Sequence, residues 1–124
     1  MNVVDSSGWI EFFVAGPNGP RFRAAVSDEA NLIVPVIALY EVHRRLCQLI
    51  PEQTVNACID VMRKGQIVEL TDARAIAASK MAQAHRLALA DAAMYAIAQE
   101  FGAAFWTQDI DYKGLPGVKY IAKR

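Results

Sequence analysis

Long apolar runs are missing from this chain: the most extended, LIVPVIALY, is interrupted by Pro35 and falls well short of the roughly 20 residues a membrane-spanning helix needs. A basic N-terminal region is missing too, because MNVVDSSGW carries Asp5 and no Lys or Arg, so neither a secretory signal nor a membrane segment is expected. Charge of one sign is not in excess. Thirteen Lys+Arg against thirteen Asp+Glu give a formal net charge of zero, which excludes a protein that coats nucleic acid through bulk charge and leaves a local patch as the only route to such contact. Cysteine is scarce: Cys47 and Cys58 lie in helix-patterned stretches rather than a disulfide-dense framework, so free thiols in a reducing compartment, the cytoplasm, are expected. No repeat, low-complexity tract or dividing linker interrupts the 124 residues, and AGPNGP at 15–20 and GLPG at 114–117 are the only longer loops. One domain covering 1–124 is expected.

What the chain does have is an alternation of short β-rich runs with helical stretches. NVV at 2–4, LIV at 32–34 and AAFWT at 103–107 read as buried strands, with QIVEL at 66–70 and VKYIA at 118–122 as shorter candidates. Helices are predicted over 7–15, 20–26, 35–50, 51–64, 71–84 and 91–101. Pro35 and Pro51 suit first turns, Thr71 or Asp72 can cap, and Gly102 suits a helix end after Phe101. The alternation implies an α/β fold: a central parallel sheet of about four to five strands, right-handed crossovers and helices on both faces. In such sheets ligands bind beyond the carboxyl ends of the strands, where the strand order reverses.

Acidic residues fall where that rule points. Asp5 follows NVV directly and Asp109 follows AAFWTQ, both at predicted carboxyl ends, while Glu41 lies about two turns into the helix after LIV and Asp91 opens the helix before AAFWT. Two unit charges about 4 Å apart at an effective dielectric near 20 repel by roughly 4 kcal/mol, so four carboxylates in one cleft require a cation or a proton. An all-oxygen donor set suits a hard ion such as Mg²⁺ or Mn²⁺, and such an ion with open water positions suits hydrolysis of a phosphodiester. Each acid also has a purely structural reading. Asp91 and Asp5 could cap helices, Glu41 could pair with Arg44 and Arg45, and Asp109 and Asp111 could belong to an ordinary turn. Pattern alone leaves both readings open for each.

Taken together, NVVDSSGWIEFF, VPVIALYEVHRRL, LALADAAMYAIAQEFGAAFWTQDIDY and LPGVKYI, in that order over essentially the whole chain, resemble a PIN-domain ribonuclease, and more narrowly the VapC-type toxins of toxin-antitoxin pairs. The family's strand followed by Asp-x-Ser is matched by Asp5, Ser6 and Ser7, its helical glutamate by Glu41, its aspartate opening an Ala-rich helix by Asp91, and its Thr-x-Asp-x-Asp-aromatic segment by Thr107, Asp109, Asp111 and Tyr112. The resemblance implies a single PIN-like domain and a Mg²⁺- or Mn²⁺-dependent endoribonuclease. It makes Asp5, Glu41, Asp91 and Asp109 the metal-binding acids, Asp5 and Asp91 foremost. Ser7 and Thr107 would orient carboxylates or water, and Asp111 would be an auxiliary acid. It further implies an RNA substrate, a homodimer, and a cognate antitoxin whose C-terminal segment lies across the cleft. GWIEFF and IPEQTVNACIDVM are candidate contact surfaces. Many relatives carry an arginine where this chain has Gln108, which removes a candidate phosphate contact.

An acidic pocket repels a polyanion, so cations should flank it; Arg44, Arg45, Arg86 and Lys113 are the candidates, each with solvated surface charge as its alternative. Glu11 is either a rim acid or a solvent-facing helix residue. His43 and Cys47, four apart on a predicted helix, read as a packed or exposed face rather than a soft-metal pair. Trp9, Phe12 and Phe13 read as core or dimer contacts, and Trp106 as buried in its strand. Two rival classes remain at this level. A phospho-receiver module would need paired acids after the first strand, which VVDSS lacks, and a binding-only relative would not need all four acids.

Overall fold

Five short strands, β1 (Asn2–Val4), β2 (Leu32–Pro35), β3 (Gln66–Val68), β4 (Ala104–Thr107) and β5 (Val118–Tyr120), form one sheet in the order β3-β2-β1-β4-β5. Every neighbouring pair runs parallel. The computed structural model describes residues 1–124. The helices are α1 (Ser6–Phe13), α2 (Gly19–Val26), α3 (Val36–Leu46), α4 (Glu52–Met62), α5 (Asp72–His85) and α6 (Leu89–Glu100). Successive strand residues point to opposite faces, and Val3, Val4, Leu32, Ile33 and Val34 are all buried, so both faces of the sheet centre are covered by helices. Helix α6 packs on β1, β2 and β4, α1 joins α2 and α3, and α5 lies along α6. No helix is long and apolar enough to cross a membrane.

Differences from the sequence reading are local and have identifiable causes. The helix expected over 35–50 stops at Leu46, where Gln48 and Leu49 close tighter bonds to Arg45 and Leu46. Pro51 disfavours helical backbone in the residue before it and itself serves as the extended residue ahead of α4. Short 3₁₀ turns at Glu29–Asn31 and Ile110–Tyr112 have no periodicity to announce them. Trp106 is not buried in its strand as expected. It is half-buried, with its indole N–H donating to Asn2 at 2.9 Å and Lys119 Nζ 4.5 Å above its ring, because that face of β4 is open beside Lys119. Trp9, by contrast, is fully buried and stacks on Phe13 at 5.5 Å.

Gly8 sets how closely α1 approaches the sheet. A Cβ at this position would lie 2.7 Å from both a Phe22 ring carbon and Val4 Cγ1, too close without movement of α2 or β1. Replacing Gly8 by Ala adds about 1 kcal/mol of helix propensity but overpacks this contact, which typically costs about 1–3 kcal/mol. Gly8→Ala is therefore expected to destabilise the domain by up to about 2 kcal/mol, read as a lowered urea midpoint at unchanged m-value. An unchanged or raised midpoint would show that Phe22 yields freely.

Candidate active site

The chain lays down β1, β2 and β3 outward on one side and returns on the other side of β1 as β4 and β5. Strand order therefore reverses between β1 and β4, and both end at the same edge, since Val4 is paired in register with Trp106. Asp5 leaves the sheet at this point, its N–H still bonded to the Trp106 carbonyl at 3.1 Å. Its side chain caps α1, accepting from Gly8 N–H at 2.9 Å. The Ser7 hydroxyl lies 2.8 and 3.0 Å from its two oxygens, and Thr107 donates to Oδ2 at 2.6 Å. Only 2% of Asp5 is exposed. Burial pushes its carboxyl up to about 6, against the pull of the hydrogen bonds from Thr107, Gly8 and Ser7, and the nearby Asp109 charge pushes in the same direction as burial.

Three further acids reach this edge from separate segments. Glu41, on α3, accepts from Ser6 Oγ at 2.7 Å and forms no ion pair with Arg44 or Arg45; the chain's ion pairs are Asp60–Arg63 and Glu100–Arg74. The expected pairing along α3 is thus not made, and Glu41 is turned toward the sheet edge instead. Asp109 follows β4, where its N–H donates to Thr107 Oγ1 at 2.9 Å and its Oδ1 accepts from Asp111 N–H at 3.0 Å. Thr107 thereby bridges two of the acids. Asp91 does not open its helix or cap it. The helix begins at Leu89 after Ala88, which makes no side-chain cap bond, and Asp91 is an acid in the first turn, a location the helix dipole favours. Fully buried Ala92 and Ala93 let this end of α6 lie close on the sheet. Burial raises the Asp91 carboxyl; the Tyr112 hydroxyl acts against it, and the Asp109, Glu41 and Asp111 charges raise it further.

Asp5, Glu41, Asp91 and Asp109 line one open cleft of about 320 Å³, together with Ser6, Ser7 and Arg45. Carboxylate oxygens of Asp91, Asp109 and the exposed Asp111 lie within 4.8 Å of one another, so Asp111 joins the mouth of the cleft. The donor set fits a hard divalent cation: it is all oxygen, no ion pair neutralises it, and Asp5 has about four lone-pair sites of which its donors occupy three. Of the basic candidates, Arg45 lines the cleft and holds Gln48 at 2.9 Å, while Arg44 lines an adjoining hollow with Tyr40. Arg86, in left-handed backbone after α5, and Lys113, 5.5 Å from the Tyr120 ring centre, do not line it. Glu11 does not line the cleft: half-buried, it accepts from Asn18 N–H at 2.9 Å and ties the loop before α2. Gln108 is buried against Asn18. His43 and Cys47 face solvent, with Sγ 3.8 Å from Nδ1. Ser6 and the Tyr112 hydroxyl were not identified from sequence as site groups, although Ser6 is the middle residue of Asp-x-Ser and Tyr112 the aromatic that closes the Thr-x-Asp-x-Asp segment.

A PIN domain family model matches residues 3–118. No curated protein is matched. Among solved structures, a toxin-antitoxin complex from Klebsiella pneumoniae aligns over all of both chains with a TM-score of 0.84 at 18% identity. A sarcin-ricin-loop-cleaving VapC toxin from Mycobacterium tuberculosis aligns over 100% of this chain and 99% of its own, with a TM-score of 0.77 at 17% identity. A DNA-bound VapBC from Salmonella typhimurium aligns over 98% of each chain, with a TM-score of 0.72 at 16% identity. At these identities the likeness is one of fold.

The buried Asp5 makes metal-free stability depend on pH. A carboxyl whose folded-state pKa lies above its unfolded value, near 4, contributes stability that is complete below that value and is lost as pH rises through about 6. The shift corresponds to roughly 3 kcal/mol at most. Asp5→Asn removes this titration, so in EDTA the variant should gain about 1–3 kcal/mol relative to wild type between about pH 4 and about pH 7.5. Urea denaturation across that range is the measurement, and a difference independent of pH would contradict the assignment.

Proposed function

The chain belongs to the PIN domain family, and on that premise we propose that it is a Mg²⁺- or Mn²⁺-dependent endoribonuclease, the toxin of a toxin-antitoxin pair. The observation that carries the reading is the gathering of Asp5, Glu41, Asp91 and Asp109, from four separate segments, in one cleft with no ion pair to neutralise them. The receiver-module alternative is set aside by the family. Asp5, Asp91, Asp109 and Glu41 would hold the cation, with Asp111 at the mouth. When bound, the ion supplies positive charge for the phosphodiester and lowers the pKa of water in the cleft.

The chain's own groups account for the rest. Ser7, Thr107 and Gly8 fix Asp5, so its carboxylate needs little reordering when a ligand arrives. Ser6 holds Glu41 Oε1, leaving Oε2 without a protein partner. That oxygen is available to the cation or to the proton released as a water oxygen bonds to phosphorus and the ester P–O bond breaks, solvent water supplying the proton that the leaving oxygen takes up. Arg45 in the cleft and Arg44 in the adjoining hollow of about 200 Å³ offset the repulsion between acids and RNA backbone.

The antitoxin is the proposed regulator. Support comes from the toxin-antitoxin complexes among the fold neighbours and from a groove of about 480 Å³ on the far side of the hollow that adjoins the cleft, lined by Leu39, Tyr40, His43, Arg44, Ile59 and Arg63, which suits an apolar segment with polar flanks. A homodimer and a cytoplasmic setting complete the reading. The free thiols of Cys47 and Cys58 are compatible with that compartment.

Two variants test this. Asp91→Asn keeps the shape of a residue that makes no cap bond, so it should fold as wild type and lose metal-dependent RNA cleavage by more than the ~10–100-fold typical of groups that merely support a ligand. Undiminished cleavage would sink the proposal, and absence of cleavage in the wild type would favour a binding-only PIN protein. Arg45→Ala should raise KM about 3–10-fold with little change in kcat and flatten the salt dependence by about one phosphate contact. Steady-state kinetics at two ionic strengths reads both.

A further inference from the structure

Each acid of the cleft except one has a donor assigned to it. Asp5 is held by Gly8, Ser7 and Thr107, Glu41 by Ser6, and Asp109 by the Asp111 N–H. Asp91 accepts no closed hydrogen bond. Beside it lies the converse: the Tyr112 hydroxyl is buried and has no closed partner, although Tyr and Trp polar atoms are normally satisfied when buried. An unsatisfied donor thus faces an unsatisfied carboxylate.

The phenol is not free to look elsewhere. Tyr112 is fully buried, its ring centre 4.6 Å from that of Phe105 and 6.2 Å from that of Tyr95. Its N–H is tied to the Asp109 carbonyl at 3.2 Å. Geometry sets the phenol beside Asp91: its ring packs on Tyr95, one helical turn along α6 from Asp91, and the adjoining Asp111 brings a carboxylate oxygen within 4.8 Å of one on Asp91; Asp5 and Asp109 also face the hydroxyl. The Asp5 oxygens already have donors. Surrounded by carboxylates, the phenol keeps its proton and can only donate.

We infer that Tyr112 is a positioning residue for Asp91: its O–H closes onto one carboxylate oxygen of Asp91 and leaves the other turned into the cleft for a divalent cation. The hydroxyl is thus the counterpart of Ser6 for Glu41 and of Thr107 for Asp5, supplied from below by the 3₁₀ turn that carries Asp111. This deepens the metal-dependent reading and rests on it. A phenylalanine at the same place would fill the aromatic cluster equally well, so packing alone does not call for the oxygen.

The test is Tyr112→Phe in the full chain, with Mn²⁺ as the probe. The hydroxyl makes no closed hydrogen bond in this fold, so Tyr112→Phe should fold, and the urea midpoint in EDTA checks that it does. Mn²⁺ affinity by calorimetry without RNA should fall by about 10–100-fold, the range for groups that orient a ligand. In the Asp91→Asn background the same substitution should have no further effect on Mn²⁺ affinity. Wild-type affinity in Tyr112→Phe, or an equal loss in both backgrounds, would overturn the inference. Failure of the wild type itself to bind Mn²⁺ would instead overturn the metal reading on which it stands.

Discussion

Repulsion among carboxylates is the constraint on which the rest of this structure depends. At an effective dielectric near 20, each pair at about 4 Å costs roughly 4 kcal/mol if both are ionised, and three of the acids bring oxygens within 4.8 Å of one another. The protein makes no ion pair there. It surrounds the acids with neutral donors instead: the Gly8 and Asp111 N–H groups and the Ser6, Ser7 and Thr107 hydroxyls. These stabilise negative charge without cancelling it, so the cleft keeps a net negative field. The upward displacement of the Asp5 and Asp91 carboxyls comes first from burial, and repulsion from Asp109, with Glu41 and Asp111 as well at Asp91, adds to it.

The sheet meets that constraint through topology. Because β1 and β4 are neighbours, Asp5 and Asp109 emerge side by side at the point of strand reversal, and Thr107 at the end of β4 can bond to one while accepting from the other. Small residues do the equivalent on the helical side. Gly8 lets α1 start against β1, so its own N–H reaches Asp5, and Ala92 and Ala93 seat α6 so that its first turn faces the same edge. The core is therefore not independent of the site. Its closest approaches are those that bring the acids within range of each other.

How much of this was readable in advance follows the range of the interactions. The five strands and six helices were legible because their signals are local: β-branched runs, prolines near helix starts, and Gly102 after Phe101. The order of the acids at strand ends was legible too, since parallel α/β alternation places those ends on one edge. What depended on three dimensions was not. Whether Glu41 pairs along its helix or turns to Ser6 is decided by α1, thirty-five positions away in sequence. Trp106 reads as core by composition, yet β4 leaves that face partly open. Glu11 reads as solvent-facing until the loop to Asn18 folds back on it. Tyr112 reads only as an aromatic, because nothing in a linear pattern says where a hydroxyl will be buried.

The acids also differ in how far their chemistry can be separated from folding. Asp5 both caps α1 and lines the cleft, so its carboxylate has a structural task that would exist in any protein with this helix start. Asp109 caps the turn at Ile110–Tyr112 in the same way. Asp91 has no such task. The helix starts two residues earlier, after Ala88, without using it. A half-buried carboxylate with neither a cap bond, an ion pair nor a closed hydrogen bond is costly to keep unless something binds it. Of the two explanations open for Asp91 from sequence, a helix cap or a ligand, the structure removes the first, and that makes this residue the most informative place to interrogate the cleft.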